Sequence, residues 1–179
     1  SKTGAPIRAE MIIASFGKKG NTKVENFQCR EINVNFAPVL RTYPLETKLN
    51  SSSVIIIPSD PKLKAQYTLL AKKISDKLGG ITIIDDKAAC VKDAPMLKVG
   101  DANCNLIIMG NMNNNRAFWP AYTRKLAVSD AFFPGGKGYE VRTAVNVLSN
   151  GKNHIVIGGT TLEGVARGVE KFLAKCTSK

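Results

Sequence analysis

The chain has no run of apolar residues near the ~18–20 that a membrane-spanning helix requires, so no membrane span is expected. Histidine occurs once, at His154, and the four cysteines (Cys29, Cys90, Cys104, Cys176) lie far apart with no C-x-x-C pair. Zinc-site spacing is therefore missing, and neither a metal nor a cofactor is expected. Four dispersed thiols read as small buried hydrophobes, or as two disulfides in one of three pairings, and they leave the redox compartment open. Acidic residues are scarce, with 14 Asp and Glu against 26 Lys and Arg, for a net charge of +12. That excludes an acidic solubility module and leaves room for an anionic partner: nucleic acid, an acidic glycan or a membrane surface. The stretch Ser1–Ala9 lacks the apolar core of a signal peptide, so an export signal is expected to have been removed or never to have existed. The chain also begins without Met, which suggests processing or trimming.

What is present is globular. With 44% hydrophobic and 22% charged residues over 179 positions, the chain suits one domain, or one domain with an appended segment. A domain of that size buries roughly 70% of the surface of its unfolded chain and needs no staple.

The first fifty residues differ from the rest. Residues 10–16 read as a strand, and Ile32, Val34 and Phe36 alternate with Glu31, Asn33 and Asn35 as on a half-buried antiparallel strand. From Val54 the signals become regular. Val54–Ile57 is a β-branched run of the kind buried on both faces. Asp60 and Pro61 read as the cap and first residue of a helix whose apolar stripe is Leu63, Tyr67, Leu70, Ile74 and Leu78, ended by Gly79 and Gly80. Strands follow at Ile81–Ile84 and Asn105–Met109, then a helix over Ala117–Val128 with Pro120 in its first turn. Tyr139–Val147 and His154–Ile157 read as strands joined through Ser149–Asn153, where Asn150-Gly151 is a hairpin signal. The pattern Thr160-Thr-Leu-Glu163 opens the last helix as a capping box, with Val165, Val169, Phe172 and Leu173 on its apolar face. This order predicts an α+β fold: a mixed sheet with about three helices packed mainly on one face.

Catalytic signatures are missing. Asp85-Asp86 ends a strand, where neighbouring side chains point to opposite faces, so a solvated strand terminus is the simpler reading than a carboxylate pair. His154 has no triad motif around it. Gly158-Gly-Thr-Thr161 joins a strand to a helix without completing a phosphate-binding motif, and reads as a tight turn. The most distinctive stretch carries Asn113, Asn114, Asn115 and Arg116, followed by Phe118, Trp119 and Tyr122. Amides, a guanidinium and aromatic faces are the mixture a sugar site uses, since hydroxyls pair with amides and pyranose C–H faces lie on rings. Asn113, Asn114, Asn115, Arg116 and Trp119 are therefore candidate glycan contacts; the competing reading makes an Asn the helix cap and the aromatics core anchors. The lysines are spread along helix faces and nucleic-acid motifs are absent, so the charge suits a diffuse polyanion and no specific nucleic acid is expected.

The segment Val54 to Gly79, then Leu106-Ile-Ile-Met-Gly110, Gly138-Tyr-Glu-Val141, Ile155-Val-Ile-Gly-Gly159 and Gly164-Val-Ala-Arg-Gly-Val-Glu-Lys-Phe-Leu173, stand in a recognisable order. Together they resemble the non-catalytic N-terminal domain that precedes the barrel in β-N-acetylhexosaminidases and α-glucuronidases. Residues 110–118 and 130–142 are also similar to N-terminal regions of heparinase-like polysaccharide lyases. The resemblance covers about residues 54–174 and does not explain residues 1–53. It implies a β-containing extension over 1–53 and an α+β accessory domain over 54–179. It also implies a secreted or periplasmic bacterial setting and a catalytic domain beyond this chain, so no catalytic residue is carried over. The expected role is structural or interdomain, with weak binding of acidic glycan. The alternatives are a self-standing basic module for an acidic glycan or nucleic acid, and a small enzyme using Asp85, Asp86 or His154. The accessory reading predicts an apolar sheet face or patch of roughly several hundred Å² left uncovered, and a fully covered sheet counts strongly against it.

Overall fold

The computed structural model describes residues 49, 51–98 and 103–176. The strand readings over 10–16 and 31–36, and almost all of the 1–53 extension, lie outside the described residues. In chain order the elements are β1 (Val54–Ile57), α1 (Pro61–Lys77), β2 (Thr82–Asp85), α2 (Asp86–Ala89), β3 (Leu106–Gly110), a 3-10 turn (Arg116–Phe118), α3 (Trp119–Thr123), β4 (Glu140–Ala144), β5 (His154–Gly158) and α4 (Leu162–Cys176). The strands form one mixed sheet in the order β2-β1-β3-β5-β4. The first four run parallel, and β4 closes the edge antiparallel to β5. The fold is α+β, as the order of signals predicts.

The β-branched runs account for the centre of the sheet. Ile55, Ile57, Ile107, Met109, Ile155 and Ile157 face one way and pack on Tyr67, Ala71 and Ile74 of α1 and on Val165, Val169 and Phe172 of α4. Ile56, Leu106, Ile108 and Val156 face the other way, onto Ala89, Ala117, Phe118 and Ala121. Each fully buried aliphatic side chain contributes about 1.5–3 kcal/mol. The helices are thus divided: the two long ones share one face, and the two short ones with the 3-10 turn cover the other. Ile56, Leu106, Ile108 and Val156 are all 0% exposed, so the central strands show no open apolar face.

Local rules explain most boundaries. Asp60 Oδ1 accepts from Lys62 N–H at 2.9 Å, and Pro61 begins α1. At the other end Gly79 takes φ +83°, a left-handed conformation that glycine adopts without steric cost, and Gly80 N–H returns to the Ser75 carbonyl at 2.8 Å.

Three expectations need correction. The helix read over 117–128 stops at Thr123, because Lys125 turns to φ +57° and Leu126 N–H bonds back to the Ala121 carbonyl at 2.9 Å. Strand β4 ends at Ala144, not Val147: Asn146 N–H goes to the Asn153 side chain and Val147 turns into the core. The cap of α4 is Thr161, whose Oγ1 accepts from Gly164 N–H at 3.1 Å. Glu163 then sits one position too early to close a capping box and pairs with Lys137 at 2.8 Å.

Candidate functional site

Open parallel sheets bind ligands beyond the carboxyl ends of their strands, at the point where successive connections leave in opposite directions. Here that point lies between β1, which leads through α1 to β2 on one side, and β3, which leads on to β5 on the other. The chain fills it with its own residues. Gly110 stands at φ +118°, and a Cβ there would collide with Asn114 Oδ1 and press on the Pro58 ring. Asn114 Oδ1 accepts from Asn111 N–H at 2.8 Å, and its Nδ2 reaches the Tyr67 hydroxyl at 3.5 Å. That hydroxyl is buried, which pushes its pKa up to about 12. Asn111 Oδ1 accepts from Asn113 and Asn114 N–H, while its Nδ2 donates to the Gly159 carbonyl at 2.9 Å. The Asn run is therefore largely a plug built of Asn side chains bonded to backbone.

Asp86 ties the same end together. Expected as a solvated terminus, it is 3% exposed. Its Oδ1 accepts from Ser59 N–H at 2.8 Å, and its Oδ2 accepts from Arg116 N–H at 2.9 Å and lies 3.4 Å from Arg116 Nε. One carboxylate thus fastens the loops after β1 and β3 to the end of β2. The chain does turn between the two aspartates, since Asp85 caps α2 through Ala88 N–H. Lys64 bonds to Asp85 and holds its carboxyl below the usual carboxylate range.

The five sequence candidates separate. Asn115 is 1% exposed; its Nδ2 donates to the Ile56 and Met109 carbonyls at 3.2 and 2.8 Å, and its Oδ1 caps the 3-10 turn at Ala117 N–H. It lies inside the domain, because only a side chain there reaches the two strand carbonyls. Asn114 belongs to the plug. Asn113 is exposed, and its Oδ1 holds Ala131 N–H at 2.7 Å. Arg116 and Trp119 reach the surface one turn apart but line different clefts. The aromatics split as well: Phe118 is fully buried as a core anchor, whereas Trp119 is 40% exposed.

The cleft at Trp119 has a volume of about 510 Å³ and is walled by Trp119, Tyr122, Thr123, Lys125, Ala127 and Val128. The Tyr122 hydroxyl donates to Asp130 Oδ2 at 2.8 Å, and that bond raises its pKa. The Asp130 carboxyl is held low, chiefly by Phe133 and Phe132 N–H and then by Tyr122. A second cleft, of about 490 Å³, is lined by Lys87, Cys90, Lys92, Asp93, Lys98 and Arg116. Its three lysines come from a stretch that carries no periodic pattern, so the sequence reading missed them. The signal that could have found them is three cations within twelve residues of irregular chain.

The remaining candidates serve the fold. His154 is 0% exposed, and neither ring nitrogen has a hydrogen-bond partner among the described residues. A histidine at the start of a strand beside a turn is ordinarily exposed or merely hydrogen-bonded; this one instead enters the sheet beside Leu106 and Ala144. At Gly159 a Cβ would press on Val165 N, which explains the tight strand-to-helix turn. Among the described residues no group of three or more His, Cys, Asp or Glu is placed to hold a metal ion. No helix there is long and apolar enough to cross a membrane. Fold and site define an α+β domain with a self-filled sheet end and two clefts that residues of the 116–123 segment help to line. No protein-family model matches the chain, and no curated protein matches it.

Proposed function

We propose that this chain is a non-catalytic accessory domain of a bacterial glycan-degrading enzyme acting outside the cytoplasm, and that it contacts sugar chains along Arg116–Thr123. The observation that carries the reading is the cleft at Trp119: a half-open indole and a tyrosine ring wall a space of about 510 Å³. That volume falls within the roughly 300–1,000 Å³ of small-molecule sites. An aromatic face offers a sugar ring apolar contact, and the Lys125 ammonium at the rim offers a hydrogen-bond donor. The ordered motifs between residues 54 and 174 support the accessory setting. Burial of both faces of the central strands counts against the open sheet face that an accessory domain is expected to present, so the accessory setting rests on the order of motifs and the glycan contact on the Trp119 cleft.

Affinity electrophoresis of the chain through gels containing neutral or acidic polysaccharides tests the proposal. Retardation by at least one polysaccharide is expected, with Trp119→Ala abolishing it on neutral gels while the circular dichroism spectrum is unchanged. Free migration through every gel would overturn the reading. An alanine variant that unfolds would return Trp119 to the core.

A further inference from the structure

We infer that the cleft lined by Lys87, Lys92, Lys98 and Arg116 is an oxyanion site, and that it takes the carboxylate or sulfate groups of an acidic glycan. The inference rests on the reading of the chain as a glycan-binding domain and specifies the chemistry of what it binds.

The cations come from separate elements. Lys87 stands on α2, and Arg116 opens the 3-10 turn. Lys92 and Lys98 come from the two arms of a small loop closed by the antiparallel Cys90–Leu97 bridge. Val91 N–H to the Met96 carbonyl at 2.7 Å and Lys98 N–H to the Ala89 carbonyl at 2.9 Å fasten that loop. The cluster is therefore assembled by the fold and is not a solvated helix face. Arg116 is positioned from behind: buried Asp86 takes its backbone N–H and Nε. Its terminal guanidinium nitrogens have no partner among the described residues, which leaves a planar fork for an oxyanion.

The lining is unbalanced in charge: Lys87, Lys92 and Lys98 have no ion pair among the described residues, Arg116 is paired through Nε with buried Asp86, and Asp93 is the single carboxylate in the lining. Like charges gathered in one concavity repel one another and focus a positive potential into it. A bound oxyanion relieves that repulsion. With a volume of about 490 Å³ the cleft admits part of a sugar chain and not merely an inorganic ion. Arg116 in its lining and Trp119 in the other cleft are three residues apart in the chain.

The test compares the wild-type chain with the triple variant Lys87→Gln/Lys92→Gln/Lys98→Gln and with Trp119→Ala. Binding is measured by calorimetry against a sulfated heparin oligosaccharide, an unsulfated oligogalacturonate, a neutral oligosaccharide and single-stranded DNA of matched charge. Wild type is expected to bind at least one acidic oligosaccharide with an affinity that falls steeply with salt. The triple variant is expected to weaken that binding about tenfold or more and to flatten the salt dependence, while its neutral-sugar binding and thermal transition stay as in wild type. Binding of both acidic oligosaccharides assigns a general oxyanion site; binding of one alone assigns sulfate or carboxylate. Unchanged acidic binding in the triple variant overturns the site, even where Trp119→Ala still loses neutral sugar and the proposed function stands. Equal or tighter binding of DNA overturns the glycan assignment. Loss of both neutral and acidic binding in wild type overturns the functional reading itself.

Discussion

His154 makes the stability of this domain dependent on pH in a calculable way. The imidazole sits in β5 between Leu106 of β3 and Ala144 of β4, both 0% exposed, as it is itself. Burial lowers its pKa from 6.5 to about 4, because a charged ring there would lose its water without gaining a partner. Above pH 6.5 the ring is neutral in both folded and unfolded chains, so it adds no pH dependence. Between pH 6.5 and 4 the unfolded chain takes up a proton that the folded chain refuses. Stability therefore falls as the pH falls through that window, by about 1.4 kcal/mol per pH unit, and the loss is complete below pH 4. The total is about 3 kcal/mol, a large share of the roughly 5–15 kcal/mol of a typical domain. Urea unfolding of wild type and His154→Leu at half-unit steps from pH 4 to 7.5 isolates the effect, because the carboxylates titrate alike in both. The difference between the two curves should be flat above pH 6.5 and open by about 3 kcal/mol toward pH 4 in favour of the leucine variant. At pH 7.5 the variant should be as stable as wild type or more so, since it removes two buried nitrogens without partners. Parallel pH curves, or an imidazole NMR titration centred near 6.5, would refute the reasoning.

Asp86→Ala should cost about 1–3 kcal/mol in urea unfolding, because it leaves the partly buried N–H groups of Ser59 and Arg116 without their acceptor. Asp86→Asn, which keeps an acceptor oxygen, should cost less. Gly110→Ala should lower the thermal midpoint, since alanine is strained at φ +118° and its methyl would displace Asn114; an unchanged midpoint would show that the plug yields freely. Lys64→Ala should cost no more than about 1 kcal/mol, as expected for an exposed pair. Its effect should be present above the usual carboxylate pKa and vanish as the pH falls through the lowered Asp85 pKa, which thermal melts from pH 2 to 7 would follow.

The parts of this fold that are legible in the sequence are those whose cause is local. Val54–Ile57 can only be comfortable as a strand covered on both sides, and the Asp60-Pro61 start, the stripe through Ile74 and the two following glycines determine α1 within a few residues of each other. Where the cause is distant, the reading failed. Asp86 is buried because acceptors are needed by Ser59 and Arg116, which lie 27 and 30 residues away. Asn115 caps the 3-10 turn, as the competing reading has it, but its burial depends on a carbonyl 59 residues away in β1. The end of α3 depends on a single lysine in a left-handed conformation, which its residue type does not announce.

The same distinction explains where the candidate site lies. Four asparagines and an arginine followed closely by aromatics have the composition of a sugar site, and composition alone cannot say which amides remain for a ligand. In this topology the run falls after β3, at the sheet end where parallel folds usually hold their ligands, and the backbone there consumes most of the amides. The plug has a positive consequence. By fastening the loops after β1, β2 and β3 through Asn115 and Asp86, it fixes the start of the 116–123 segment against the sheet, and so fixes Arg116 and Trp119 in the walls of two clefts. A rigid segment of that kind reduces the entropy lost when a flexible polymer binds to it. Under the proposed glycan contact the asparagines act as supports for Arg116 and Trp119, and substituting Asn115 should weaken any such binding only to the extent that it loosens that segment.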